Sequence, residues 1–146
     1  SGMRTKICGT NLLSYSGTII AVIPAALRAV LKSVTKYTDN TGVGSTAASN
    51  ITATPDYFFL LSEYEVFGEI SYSNPNESSK QAQYLYYSAG NSKIKYKHST
   101  TSTAIRWWLR SPSVNYTANF SMVNTDGGSA SGTSVSSYGF APGFCV

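Results

Sequence analysis

The last 36 residues of this chain, Ser111–Val146, carry a single charged side chain, Asp126. Their filler is small and polar: 8 Ser, 5 Gly, 3 Asn and 3 Thr. Apolar anchors interrupt that filler at Phe120, Val123, Val135, Tyr138, Phe140 and Phe144. A disordered Gly/Ser linker would not carry such anchors, so the segment reads as short strands and loops on a rigid frame. The apolar end Phe144-Cys145-Val146 reads as a final strand tucked into a sheet.

Low charge extends to the whole chain. Charged residues make up 12% of it, against about 25% in typical soluble domains, and 23 Ser, 15 Thr and 9 Asn fill the deficit. Aromatics reach 13%, which together with the aliphatic content argues against disorder. A length of 146 residues fits one domain that folds without a disulfide or metal staple. No apolar run reaches the length of a membrane span; Pro24 and Arg28 interrupt the most apolar stretch, Ile19–Leu31. Ser1-Gly2 before Met3 reads as a tag remnant, which leaves 3–146 as the single domain. The net charge of +4 gathers where acids are missing. Between Glu77 and Asp126 lie Lys80, Lys93, Lys95, Lys97, Arg106 and Arg110 with no carboxylate among them. A nucleic-acid footprint and a solvated face both fit this stretch. The absence of dense clustering favours the solvated face, hence no nucleic-acid partner.

Local patterns sketch the elements. Pro24 and the spacing of Leu27, Val30, Leu31 and Val34 predict a helix over 23–36, with Arg28, Lys32 and Lys36 on another face. Tyr37–Asn50 reads as a loop. Tyr57–Leu61 reads as a buried strand. Ser62 and Glu65 form a capping box that starts a short helix ending near Gly68. Ser71–Asn76 is turn-rich, and Lys80–Ser88 reads as a helix stopped by Gly90. Lys93, Lys95 and Lys97 alternate with Ile94, Tyr96 and His98, which predicts a half-exposed strand with its lysines outward. Ile105–Arg110 is strand-like. Adjacent strand residues face opposite ways, so one of Trp107 and Trp108 should be core and the other partly exposed, either packed or available to a ligand.

Chemistry is sparse. His98 is the only histidine and has no acid near it in sequence. Cys8 and Cys145 stand alone, without metal-site spacing. They are either a bridge between the chain ends or separate buried thiols, and the thiols are favoured. Glu63, Glu65 and Glu69 fall together, but capping explains Glu65. Catalytic, metal and cofactor sites are therefore all expected to be absent.

A codon rule offers one cause for the tail's composition, and the ordinary avoidance of Lys and Glu in a polar Ser-rich loop offers another. A codon AAC randomised at both adenines never yields Lys, Glu, Gln, Met or Trp. These five residue types number 16 in residues 3–110, and the tail holds one, Met122.

Trp107-Trp108-Leu109-Arg110-Ser111-Pro112, Val123-Asn124-Thr125-Asp126-Gly127 and Tyr138-Gly139-Phe140-Ala141-Pro142-Gly143-Phe144-Cys145-Val146 resemble the C-terminal domains of variable proteins from diversity-generating retroelements. Ile23–Val30 and Phe59–Gly68 are similar to the same family. The resemblance implies an α+β, C-type-lectin-like fold of the formylglycine-generating-enzyme type, a single domain with short strands, two or three helices and long loops. It implies 107–146 as the variable region, with a ligand surface at Ser113, Val114, Asn115, Tyr116, Thr117, Ala118, Asn119, Ser121, Ser129, Ser131, Thr133, Ser134 and Ser136. Trp107, Trp108, Arg110, Phe120, Asn124, Asp126 and Gly139 would be the supporting scaffold. Met122 departs from the codon rule. Tyr, Ser, Gly and Asn suit adaptable binding surfaces, with Tyr116 as the expected anchor. The expected function is binding of a protein or cell-surface ligand by a domain displayed outside the cell or on a virion. A non-diversified structural domain of a phage tail or cell-surface protein is the alternative. An enzyme of the formylglycine-generating type would need Cys8 and Cys145 together at one site.

Overall fold

Helix α1 (Ala25–Arg28) starts after Pro24 and stops after one turn. The structure, a computed structural model, describes residues 19–146; Ser1-Gly2 and Cys8, and with them any pairing of Cys8 with Cys145, lie outside the described residues. The expected helix over 23–36 is thus corrected to a single turn. Arg28 folds back, and its Nη1 donates to the carbonyls of Ala21, at 3.1 Å, and Ile23. Beyond it, Ser33-Val34-Thr35-Lys36-Tyr37-Thr38 is rich in β-branched and aromatic side chains, which lose rotamer freedom in a helix and pack well on a pleated surface. Strand β1 (Val34–Asp39) takes them, and Val30, expected on the apolar stripe, is half exposed.

β1 pairs with β2 (Ile51–Asp56). The expected loop over 37–50 therefore begins later, after Asp39, and ends in a 3-10 turn at Ala48–Asn50. The remaining strands are β3 (Phe58–Leu60), β4 (Lys95–Lys97), β5 (Thr100–Ile105), β6 (Trp107–Pro112), β7 (Asn119–Val123), β8 (Ser129–Thr133) and β9 (Pro142–Phe144). With helices α2 (Glu63–Phe67) and α3 (Leu85–Ser88) the architecture is α+β. Among the described residues no helix is long and apolar enough to cross a membrane.

The residues group into two compact units. One comprises 19–36, Ala53–Phe59 and Pro142–Val146; the other comprises Tyr37–Thr52 and Leu60–Ala141. In the first, β3 pairs with β9, and the Phe58 and Phe144 rings stack at 5.9 Å. The buried Lys36 holds its ammonium 4.1 Å from the centre of the Phe59 ring. Lys32 N–H donates to Cys145 O, so the chain end is bridged, one residue past the strand itself.

In the second unit, β6, β7 and β8 form an antiparallel sheet in that order, and β4 and β5 form an antiparallel hairpin turning at His98-Ser99. Val66, Tyr87, Trp107, Leu109 and Val123 make a buried cluster, with Leu61, Phe67 and Ala141 packed against it. The capping box on α2 forms as read: Ser62 Oγ accepts from Glu65 N–H and Glu65 accepts from Ser62 N–H. Gly68 closes α2 at φ 72°, where a Cβ would be strained. The helix expected over 80–88 is confined to α3, because Pro75–Lys80 forms a 3-10 turn and Tyr84 N–H is tied to Glu65 O at 3.0 Å. The lysines of the β4 region do not simply face outward. Lys93 lies over the Phe67 ring and Lys95 over the Trp107 ring, and Tyr96 is exposed instead. Lysine stems cover apolar surface readily, and the ammonium is drawn to an aromatic face.

Candidate functional site

Strand β6 is covered on both faces, which removes the expected asymmetry of its tryptophans. Trp107 is fully buried in the cluster, with its indole N–H donating to Lys93 O at 2.9 Å. Trp108, 8% exposed, faces the other way against the Tyr138 ring, 4.7 Å between centroids. Met122 pairs with Trp108 across the sheet and is buried, so its departure from the codon rule falls at a packing position. Arg110 is fixed by five acceptor contacts. Its Nη1 donates to Leu60 O at 2.8 Å and pairs with Glu65, its Nε reaches Tyr37 O and Thr38 Oγ1, and its Nη2 also reaches Tyr37 O. Glu65 therefore caps α2 and neutralises Arg110 at once.

The turn joining β7 to β8 is built by the expected scaffold residues. Asn124 N–H donates to Gly128 O, Asp126 Oδ1 accepts from Gly128 N–H, and Gly127 sits at φ 87°. Asn124 Oδ1 also accepts from Arg106 Nε at 2.9 Å. Gly139 is wedged beside β6: its N–H donates to Arg106 O, its carbonyl accepts from Trp108 N–H, and a Cβ there would strike Ile105. Phe120 is half-buried and pairs with Gly132.

The sequence-derived surface residues divide sharply. Asn115, Tyr116, Thr117, Ala118, Thr133 and Ser134 are exposed, and Val114, Asn119, Ser131 and Ser136 are half-buried. The loops come together where the β7–β8 pair begins, because Asn119 pairs with Thr133 and Ser134 N–H donates to Ala118 O at 2.8 Å. Tyr116 is 56% exposed and Val135 is 90% exposed, a large apolar side chain on each loop. Ala118 lies at φ 61°, in the left-handed region.

Ser113 and Ser121 are corrections: both are buried, so neither forms surface. Ser113 Oγ accepts from the backbone N–H of Asn115 and Tyr116 and shapes the loop from within. Ser121 Oγ donates to Glu63, as does Ser129 Oγ at 2.8 Å. Glu63 is the functional group that sequence reasoning passed over. Its fully buried carboxylate also accepts from the backbone N–H of Ser71, Tyr72 and Ser73 and from Ser73 Oγ. Six donors from three chain segments converge on it, and it pins the 71–73 turn and the β7–β8 sheet to the start of α2. A match to the DUF6273 family model, "domain of unknown function", spans residues 15–146.

The chain belongs to the DUF6273 family.

No curated protein and no solved structure matches this DUF6273 chain. Among its described residues no group of three or more His, Cys, Asp or Glu is placed to hold a metal. Cys145 is half-buried, and among the described residues no cysteine pairs with it.

A second buried carboxylate of the DUF6273 domain, Glu77, accepts from Asp39 N–H at 3.1 Å and from Ser111 Oγ at 2.6 Å. Burial pushes its carboxyl above the ordinary 4.5, against the lowering effects of these hydrogen bonds and of Arg110. Between the ordinary value and the raised one, the folded chain holds a proton that the unfolded chain has lost. The stability from this group is therefore complete below about pH 4.5 and is lost as pH rises through the folded value. Chemical denaturation across pH should show this decline, and Glu77→Gln should flatten it. An unchanged slope in the variant would assign the decline elsewhere.

The exposed loops should tolerate change. Tyr116→Ala is expected to alter stability by less than about 0.5 kcal/mol in urea melts, because an exposed ring loses little packing. A loss several times larger would mean that the ring packs within the fold.

Proposed function

We propose that this DUF6273 domain is a ligand- or receptor-binding module of C-type-lectin-like fold, and that the exposed loops of its 107–146 segment form a hypervariable surface diversified by a retroelement. One observation carries the proposal. The loop before β7 and the loop after β8 are joined by the Ser134–Ala118 backbone hydrogen bond, and both offer exposed side chains above a buried scaffold. Tyr116 and Val135 supply apolar contact area, and Asn115, Thr117, Thr133 and Ser134 supply adaptable hydrogen bonds. The role is recognition rather than catalysis. The partner is a protein or cell-surface ligand rather than nucleic acid, and the domain is displayed outside the cell or on a virion.

Sequencing of the locus tests the diversification. A neighbouring reverse transcriptase is expected, with a second copy of the tail-coding segment that differs from this one only where the copy has adenines. Differences scattered over all four bases would sink the idea. Binding has its own test. With few aromatics between 113 and 136, this variant is expected to bind weakly and through Tyr116, so sub-micromolar binding that survives Tyr116→Ala would contradict the assignment.

A non-diversified structural domain of a phage tail or cell-surface protein is favoured by one different observation. Ser121 and Ser129, inside the segment that would be rewritten, are committed to Glu63. Under that second reading the sequenced copies show conservation of both loops.

A further inference from the structure

A cleft of about 430 Å³ opens in the second unit between the β4–β5 hairpin, Thr125 in the turn after β7, and the chain at 137–139. Its size lies in the range of small-molecule sites. Ala104, Ile105 and the Tyr138 ring give it apolar walls. Lys97 and Arg106 line it as well, and no carboxylate does. Both cations are exposed and give the open cleft a positive edge.

The cationic side is set before a ligand arrives. Arg106 is held at Nε by Asn124 Oδ1, and its guanidinium lies 5.7 Å over the Tyr138 ring. Tyr138 rests in turn on Trp108. The backbone beneath is tied on both sides of Gly139, by its N–H to Arg106 O and by Trp108 N–H to its carbonyl. A planar guanidinium fixed in this way matches the two oxygens of a carboxylate or phosphate.

We propose that this cleft binds a small ligand that carries a carboxylate or a phosphate on a flat apolar body. The anion sits on Lys97 and Arg106, and the body lies against Ile105 and Tyr138. Neither Tyr116 nor Val135 lines the cleft, although Ser137 continues the loop that carries Val135. The two proposals have separate readouts: cleft binding is read at Lys97 and Arg106, loop binding at Tyr116.

NMR titration of the nitrogen-15-labelled chain tests the proposal, with benzoate, phenyl phosphate, inorganic phosphate and neutral benzyl alcohol as probes. One of the two aromatic anions is expected to shift the Ala104, Thr125 and Gly139 amides and the Arg106 Nε–H saturably. The tighter of the two tells which head group the site takes. Lys97→Gln should weaken it about ten-fold, as the loss of one charge-assisted contact. Lys97 is exposed, so an otherwise unchanged amide spectrum would separate lost binding from lost fold. Three results would overturn the proposal: no saturation by either aromatic anion, benzyl alcohol or inorganic phosphate binding as tightly, or affinity unchanged in both Lys97→Gln and Arg106→Gln.

Discussion

Glu63→Ala is expected to cost about 5 kcal/mol, enough to leave a domain of ordinary stability largely unfolded. The reason is the number of donors that lose their acceptor together. Three backbone N–H groups and three hydroxyls point at one carboxylate with no exposure to solvent. Each buried donor left without a partner costs about 1–3 kcal/mol, and the costs do not add fully because the emptied site relaxes. Glu63→Gln separates the kinds of donor. A serine hydroxyl can rotate and accept from the new amide, but a backbone N–H cannot, so an intermediate loss of about 2–3 kcal/mol is expected. Urea unfolding followed by tryptophan fluorescence would measure both. A loss below about 1 kcal/mol for the alanine variant would mean that water enters and replaces the carboxylate.

Trp107→Ala should come close behind, at about 4 kcal/mol. The ring is fully buried among Val66, Tyr87, Leu109 and Val123, and its removal opens a cavity that flanking strand backbone cannot fill. The indole N–H to Lys93 O bond is lost as well. Trp107→Phe restores most of the packing but leaves Lys93 O to water, so a loss nearer 2 kcal/mol is expected. For a chain of this length the alanine variant should melt on the order of 10 °C lower in calorimetry. Equal melting temperatures for the phenylalanine variant and the unsubstituted chain would assign no weight to the hydrogen bond.

What could be read from the sequence was local. The Ser62–Glu65 box and the Gly68 stop involve residues three to six apart, and a short polar side chain next to its own backbone has few alternatives. The same logic failed at 23–36. Leu27, Val30, Leu31 and Val34 fit a helical stripe, but the β-branched run that follows pairs with β2, a partner no local pattern contains. Glu63 was visible as one of three nearby acids, yet its role depends on Ser73, Ser121 and Ser129, up to 66 positions away. Serine itself gave no warning, because the same hydroxyl serves a solvated loop at Ser134 and a buried carboxylate at Ser121. The tryptophan pair was misjudged because alternation tells which way each ring points and not whether Tyr138 and Gly132 lie in wait on the second face. The cleft at Arg106 was hidden for a related reason: Lys97, Thr125 and Tyr138 come from three separate segments.

Ala118 gives the exposed loops a property separate from their side-chain contacts. An alanine at φ 61° is held there against a steric cost of about 1 kcal/mol, and its carbonyl is the acceptor that joins the two loops. Glycine or asparagine at this position would take the same shape more willingly. Under the proposed function, Ala118→Gly removes only a methyl group and yet changes how often the free loop already has its bound shape. Where only a fraction of molecules is competent, apparent affinity falls in proportion to that fraction. Position 118 would then act as a dial on recognition, set by backbone preference before any partner is met.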